Sequence, residues 1–498
     1  MQKNAIFHNI IWSMIAVLIN ILIQFLVTPY VTEQIGIEAY GFVSLATTFT
    51  SYIDIISIGL NAMAGRFISI AYHQGKKEKA NIYYSSTIMA DFFLSLTILV
   101  FCSIGILRLE TLIKIPVDLR GDVKLLFFFA LLKYLFTVMQ TAFNTATFLV
   151  NRLDLAEKAR GISYLIQGGS LLLLCLVCPP NVWYVGFAYT ISALFLFVCN
   201  LVFSKTLTKE LTFQRKFCSF VAIKTILASG VWNSINNLGN VLNSGLDLLI
   251  TNLLLSATVL GQISVAKSLA TAFSTFSFKI CDGFRPKQLE LYARGETKSL
   301  VESLKEAMLL NGAFCNLVVT VYAFAGKDFL RLWIPNQNID FIFQLGLLTV
   351  LSDVAIGVVT PLYYVPTLTN HLRFPCFVTI GMGVANVGSM IVLICFTHLG
   401  GYAVVLTTLV LNLVHYLDSP LYAAYTLRLP YRTFYGPILR HVLATMGGTL
   451  WGLWFSKVFP SANGWGGLIL KAGFGAIVFG IFIIIIMIPK EALRRIKR

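Results

Sequence analysis

The sequence predicts an all-α polytopic membrane protein of about fourteen transmembrane helices. These form two parallel-repeat six-helix lobes plus two C-terminal helices. Three observations carry this reading. The 498 residues are 57% hydrophobic and 12% charged, with mean hydropathy +0.79, where a soluble domain has about 45–50% apolar and about 25% charged residues. Apolar runs of the roughly 20 residues that cross a bilayer follow one another along the whole chain. The connectors between those runs alternate in charge. Backbone groups in lipid must be satisfied within the segment, so helices are the expected spans, and the runs lack the alternation of barrel strands.

The spans, numbered 1 to 14, are predicted at roughly 8–30, 40–71, 82–106, 122–150, 160–178, 183–204, 223–255, 258–284, 301–326, 341–369, 374–397, 401–427, 437–458 and 464–488. Span 1 has no small-residue cleavage site after a short apolar core, so it reads as a retained helix and not a signal peptide. One set of connectors is basic: HQGKKEKA (73–80), NRLDLAEKAR (151–160), SKTLTKELTFQRK (204–216), RPKQLELYARGETK (285–298), LRLPYR (427–432) and KEALRRIKR (490–498). With Lys3, Arg373 and the span-edge Lys224, Lys305 and Arg440, that side holds 26 of the 38 Lys and Arg. The other side holds six: Arg108, Lys114, Arg120, Lys327, Arg331 and Lys457. The positive-inside rule then puts both termini in the cytoplasm. Topology thus accounts for the net charge of +16 without nucleic acid, and attraction to anionic membrane lipids follows. No outer connector is long; 107–121 and 327–340 reach about 15 residues.

Shifted by 220, the chain meets itself without a gap. Trp12 falls on Trp232, Asn20 on Asn240, Gly41 on Gly261, Ser44 on Ser264, Ala46 on Ala266 and Gly75 on Gly295. The offset spans six helices, so both copies share one orientation, and transporter sites of this kind lie at the repeat interface. The domains follow: an N-terminal lobe at 1–204, a cytoplasmic linker at 205–222, a C-terminal lobe at 223–427, and two further helices with a basic tail at 428–498.

Spans 2 and 8 carry matching polar faces. Thr47, Ser51, Asp54, Ser57, Asn61 and Gly65 lie over Lys267, Thr271, Ser274, Ser277, Cys281 and Arg285. Steps of three and four place each set on one helix face. Hydroxyls alone often glue membrane helices together, but charge at bilayer depth is costly and usually faces a cavity or a partner. Asp54 and Lys267 therefore point to a water-filled lumen. Span 1 adds Ser13, Asn20, Gln24 and Thr28; span 7 adds Asn236, Asn240, Asn243, Asp247 and Thr251. Lys133 in span 4 has Asp353 of span 10 as its repeat partner, and Asp91 in span 3 has Asn311. Arg66 and Lys279 lie toward span ends, where snorkelling to headgroups is the alternative. Asp418 beside Pro420 is also intramembrane, with a local hydrogen-bonded pair as its alternative. Pro361, in VTPLYYVP with Pro366, is expected to kink span 10.

Candidate substrate-binding residues are thus Lys133, Lys267, Arg66, Lys279, Asn20, Asn61 and Asn240. The cations suit a phosphate-bearing ligand. Asp54, Asp91, Asp247 and Asp353 are candidates for a coupling cation, H+ or Na+. No cofactor or metal is expected. The histidines (His8, His73, His371, His398, His415, His441) are scattered, and there is no phosphate-cradling loop or His-Glu-x-x-His pair. The nine cysteines lie mostly in apolar runs, where cysteine behaves as a small hydrophobe; Cys175 and Cys178 have no partner pair.

The stretches NxIWSxxxxxxNxxxQFxxTPYxxxxIGxEAYGFxSLA (9–46) and SYxxIxSxGLNxxxxRFI (51–68) resemble the amino-terminal signature of bacterial polysaccharide flippases. Those belong to the multidrug/oligosaccharidyl-lipid/polysaccharide exporter superfamily. The matching residues include Thr28, Pro29, Tyr30, Gly36, Glu38, Tyr40, Gly41, Ser51, Tyr52, Gly59, Asn61 and Arg66. The resemblance implies a non-enzymatic flippase of the bacterial inner membrane that works by alternating access. It would carry an undecaprenyl-diphosphate-linked oligosaccharide to the outer leaflet, alongside other polysaccharide-assembly proteins. A cationic lumen would hold the diphosphate. Multidrug relatives typically use a first-helix Asp for proton coupling; here Asn20 stands in span 1, which lowers the small-molecule-exporter reading. A glycan polymerase or glycosyltransferase would usually need a sizeable outer loop, and none is present in the sequence.

Overall fold

The computed structural model describes residues 2–150, 152–369, 371 and 373–487. The side chains of Lys3, His8, Asn9 and Ser13, together with Asn151 and the terminal KEALRRIKR (490–498), lie outside the described residues. Every regular element among the described residues is helical. Ten helices are long and apolar enough to cross a membrane, and a bent pair, Val117–Met139 with Thr141–Leu149, makes an eleventh. Three more polar helices, Phe220–Asn240, Ala257–Ala293 and Tyr435–Val458, occupy predicted spans 7, 8 and 13. Each of the fourteen predicted spans is therefore helical, and the protein is a multi-pass membrane protein.

The helices outrun their apolar stretches. Span 2 is Ile37–His73, span 3 Lys77–Leu107, span 8 Ala257–Ala293 and span 9 Thr297–Trp333. Most of the connector expected at 285–298 is thus helix, running through Pro286, and the one at 73–80 shrinks to a turn. A helix pairs its own backbone groups in lipid and in water alike, whereas hydropathy marks only the lipid-facing part.

Helix bounds repeat at the same offset of 220 residues. Ile37–His73 maps onto Ala257–Ala293, and Lys77 and Leu153 open helices whose counterparts open at Thr297 and Arg373. The turns match in geometry as well. Gly75 has φ +73° and Gly295 has φ +72°. Gly75 N–H donates to Tyr72 O at 3.0 Å and Lys76 N–H to Ala71 O at 3.1 Å; Gly295 N–H donates to Tyr292 O and Glu296 N–H to Leu291 O, both at 3.0 Å. This is the Schellman ending, in which glycine takes the left-handed position. Spans 4 and 10 break at equivalent places. Span 4 bends by 45° between Met139 and Thr141. Span 10 runs Ile339–Gly357, then Thr360–Tyr364 as a 3-10 turn, then Val365–Thr369. Pro361 supplies no N–H there, as expected.

Two compact units divide the chain: Met1–Gly261 with Thr379–Gly383, and Gln262–Val378 with Val384–Arg498. In the first, spans 2 and 7 touch backbone to backbone; a Cβ on Gly230 would lie 1.6 Å from Gly59 O. Such small-residue contacts are the usual basis of helix packing in lipid. The signature residues build the first turn: Thr28 Oγ1 lies 3.2 Å from Tyr40 Oη, Glu38 accepts from Thr258 Oγ1 at 2.7 Å, and Gly36 holds φ +114°.

In the second unit, spans 13 and 14 pack on span 9. Lys471 Nζ lies 2.7 Å from Asp328 Oδ2, with side chains 8% and 9% exposed. The Ala462 N–H donates to the same carboxylate at 3.3 Å, and Lys471 also reaches Pro460 O at 3.3 Å. His441, fully buried, donates from Nε2 to Val354 O at 3.0 Å while Nδ1 accepts from Asn316 Nδ2 at 3.0 Å. This histidine is a satisfied core residue. Asp418 forms the local pair named above, 3.1 Å from His415 Nδ1.

Candidate functional site

In the first unit, one face of span 2 meets spans 3 and 4. Asp54, Ser57 and Asn61 are three and four residues apart and so share that face. Ser57 Oγ donates to Asp54 Oδ1 at 2.8 Å and lies 2.7 Å from Tyr134 Oη; Tyr134 also reaches Asp54 Oδ1 at 3.5 Å. Ser57 is fully buried. Asp91 of span 3 lies within electrostatic reach of Tyr134. Its side chain is 1% exposed, and neither carboxylate oxygen has a hydrogen-bond partner among the described residues. Burying an unpaired polar group costs on the order of a few kcal/mol, so this carboxyl is set apart from packing residues. Asn61 Oδ1 is also buried without a partner there.

Lys133 precedes Tyr134 but does not join its cluster. Its ammonium lies 5.1 Å from the centroid of the Tyr189 ring on span 6, a cation–π arrangement. No ion pair to Asp54 or Asp91 forms among the described residues. Within span 7, between the helices Phe220–Asn240 and Asp247–Leu254, Val241–Gly245 is a π-helical segment, and Tyr52 Oη donates to Gly245 O at 2.7 Å. Asp247 is buried just beyond it, 4% exposed.

In the second unit the same positions carry different chemistry. Ser274 Oγ donates to the Asp353 carboxylate. Asn311 Nδ2 donates to Ser277 Oγ at 2.8 Å and to Gly357 O at 2.7 Å. Lys267 acts electrostatically on Asp353. A cavity of about 20 Å³ lined by Ser274, Ser277, Asp353, Phe273, Phe314 and Cys315 adjoins them, room for about one water. Ser57 and Ser277 are repeat partners, as are Asp91 and Asn311, and Lys133 and Asp353. Both units therefore place a buried serine against spans 3 and 4 or their equivalents, but the charges are exchanged. The acid sits on span 2 and the cation on span 4 in one; in the other the acid is on span 10 and the cation on span 8.

Of the remaining candidates, Arg66, Lys279 and Asn240 are exposed and Asn20 is half-buried. Sequence reasoning missed Tyr134 and Tyr189. Hydroxyl and ring partners in an aromatic-rich chain leave no spacing signal. It also missed the Lys471–Asp328 pair, although an intramembrane lysine in span 14 is itself a signal.

The profile of the family described as "Polysaccharide biosynthesis protein" matches residues 6–282. The chain belongs to that family. The signature stretches 9–46 and 51–68 lie inside the matched region, so the resemblance read from them is borne out. A curated relative from Bacillus subtilis (strain 168), "Uncharacterized membrane protein EpsK", is 27% identical over 413 residues, covering 83% of this chain and 82% of its own. Among solved structures, a "Lipid II flippase MurJ, inward closed conformation" is similar with TM-score 0.70 and 11% identity, over 96% of this chain and 100% of its own. An inward-facing "multidrug resistance MATE family transporter of the MOP superfamily" gives TM-score 0.61 and 14% identity, over 90% of this chain and 98% of its own. This family member thus has the fold of solved flippases and transporters of that superfamily.

Proposed function

We propose that the protein is a flippase moving an undecaprenyl-diphosphate-linked oligosaccharide from the cytoplasmic to the outer leaflet of the bacterial inner membrane, for cell-surface polysaccharide synthesis. The observation that carries the reading is Lys133: a mid-span cation whose partner among the described residues is a ring face, with no carboxylate. Its donors stay available to a phosphate, and charge-assisted contacts of that kind are the strong ones. Lys267, the other mid-span lysine among the sequence candidates, is assigned to phosphate recognition as well. Membership in the polysaccharide biosynthesis family supports this ligand class. The absence of a long outer connector in the sequence supports transport and not catalysis.

Asp54, Asp91, Asp247 and Asp353 are the residues assigned to the coupling cation, H+ or Na+. Asp91, whose carboxylate has no hydrogen-bond partner among the described residues, supports this, since a buried carboxyl in that state is tolerated when a proton or cation accompanies it. Transport proceeds by alternating exposure of the cationic groups to the two sides, in lobes corresponding to 1–204 and 223–427, with both termini cytoplasmic. Other polysaccharide-assembly proteins receive the product.

The test is translocation of a fluorescent lipid-linked oligosaccharide in proteoliposomes. Lys133→Ala with Lys267→Ala should abolish it while the protein stays monodisperse; full transport by that variant would sink the reading. The likeness to a multidrug transporter favours a second reading, a cation-coupled small-molecule exporter. Drug resistance on overexpression with unchanged surface glycan would select it.

A further inference from the structure

The two helices that open spans 3 and 7 begin side by side in the first unit, and they do so for a reason written in span 3. Asn81 Nδ2 donates to Glu210 O at 2.9 Å, and its Oδ1 accepts from Thr212 N–H at 2.8 Å. Ser85 Oγ accepts from Gln214 N–H at 3.2 Å, and Ser86 Oγ from Ser219 N–H at 2.9 Å. The stretch expected to be a cytoplasmic linker is thus stitched residue by residue to one face of span 3. Ser219 then caps span 7, its side chain accepting from Ala222 N–H.

This stitching leaves an open cavity of about 620 Å³ between the two helix starts, within the size range of small-ligand sites, roughly 300–1,000 Å³. Lys76, Lys77 and Lys79 stand on its walls against one acid, Glu78. Tyr83, Ile82, Val221 and Ala222 form the apolar part, and Thr225 adds a hydroxyl. Lys77 is engaged by Glu210 at 2.7 Å. Lys79 lies over the Tyr83 ring, 5.9 Å from its centroid. Two helix N-termini turn their positive dipole ends to the same space, which favours a phosphate. Beside it, Phe220 and Val221 are 79% and 74% exposed, as suits side chains that meet acyl chains.

We propose that this cavity binds the phosphate headgroup of an anionic phospholipid from the surrounding bilayer. Cations above an apolar floor, at the rim of a transmembrane helix pair, match a lipid head with its chains running alongside. The equivalent turn of the second unit lacks the feature: the repeat partners of Lys76, Lys77 and Lys79 are Glu296, Thr297 and Ser299. The cluster is therefore a property of this place and not of the fold. It is separate from the proposed transport residues, and its test does not use transport.

Delipidated full-length protein is titrated with phosphatidylglycerol or phosphatidylcholine and read by native mass spectrometry. Phosphatidylglycerol should bind at least tenfold tighter. Lys76→Gln with Lys79→Gln should remove at least fivefold of that preference, and Thr225→Asp on the facing wall should weaken it as well. Arg294→Gln with Lys298→Gln, an equal charge loss at the second unit's turn, should leave it unchanged. Equal loss in that control, or undiminished binding in both cavity variants, overturns the proposal. Competition by inorganic pyrophosphate at equal concentration would also overturn it, since the ligand would then be a soluble phosphate.

Discussion

Removing Lys471 isolates one energetic term. Its ammonium and the Asp328 carboxylate are 2.7 Å apart and nearly sealed from solvent. Lys471→Met keeps the length and apolar stem of the side chain, so packing changes little and Asp328 is left without its closest cation. Breaking a buried pair typically costs about 3–5 kcal/mol. Two residual partners soften the loss here: Arg331 at 3.6 Å and the Ala462 N–H at 3.3 Å. The lower end, about 3 kcal/mol, is therefore expected. At roughly 2 °C per kcal/mol for a cooperative unit of 150–250 residues, the thermal midpoint in detergent should fall about 6 °C. Asp328→Leu with Lys471→Met removes both charges, and an apolar replacement of a buried pair is often neutral. The double variant should recover most of the loss, giving a large coupling in the cycle. A single variant with an unchanged midpoint, or a double variant no better than the single, would refute the reasoning.

Gly230→Ala should abolish monodisperse protein on size exclusion, because its Cβ would meet Gly59 O at 1.6 Å, while Gly169→Ala, with open space around it, should be neutral. Gly75→Val and Gly295→Val should each cost about 1–2 kcal/mol for a left-handed backbone, and the asparagine variants less; equal midpoints for valine and asparagine would count against the turn geometry. Lys133→Ala should weaken binding of the lipid-linked oligosaccharide by about 2 kcal/mol, roughly thirtyfold, the size of a charge-assisted hydrogen bond, measured as apparent Kd. Asp91→Asn should fold normally, since Asn311 fills the equivalent place, but should make transport indifferent to ion gradients; a retained gradient response would exclude Asp91 from coupling.

The span count and the repeat were legible because both rest on periodic, redundant signals. Apolar runs mark each helix, and Gly75 and Gly295 mark the same turn twice. Helix ends were less legible. Thr297 opens a helix four residues before the apolar run at 301, since charged residues are as good as apolar ones at forming helix in water. The stripe of Asp54, Ser57 and Asn61 was visible from its spacing. What it touches was not, because Tyr134 and Asp91 come from other spans and no local pattern announces a tertiary partner. The unlike surroundings of Lys133 and Lys267 were hidden for the same reason. One lies on the ring of Tyr189 and the other acts on Asp353, although the sequence gives both simply as intramembrane cations.

The two Schellman turns have a practical consequence. Their backbones coincide in dihedral angle and in hydrogen-bond pattern, while their side chains differ, with Lys76 in one and Glu296 in the other. They behave as interchangeable cassettes. Residues 73–79 and 293–299 could be transplanted into each other's places, with the buried Ala80 and Leu300 and the helices on either side left as they are. Such chimeras would move a patch of surface charge from one half of the molecule to the other at almost no conformational expense. That would separate the influence of loop charge on membrane orientation from every other property of the chain.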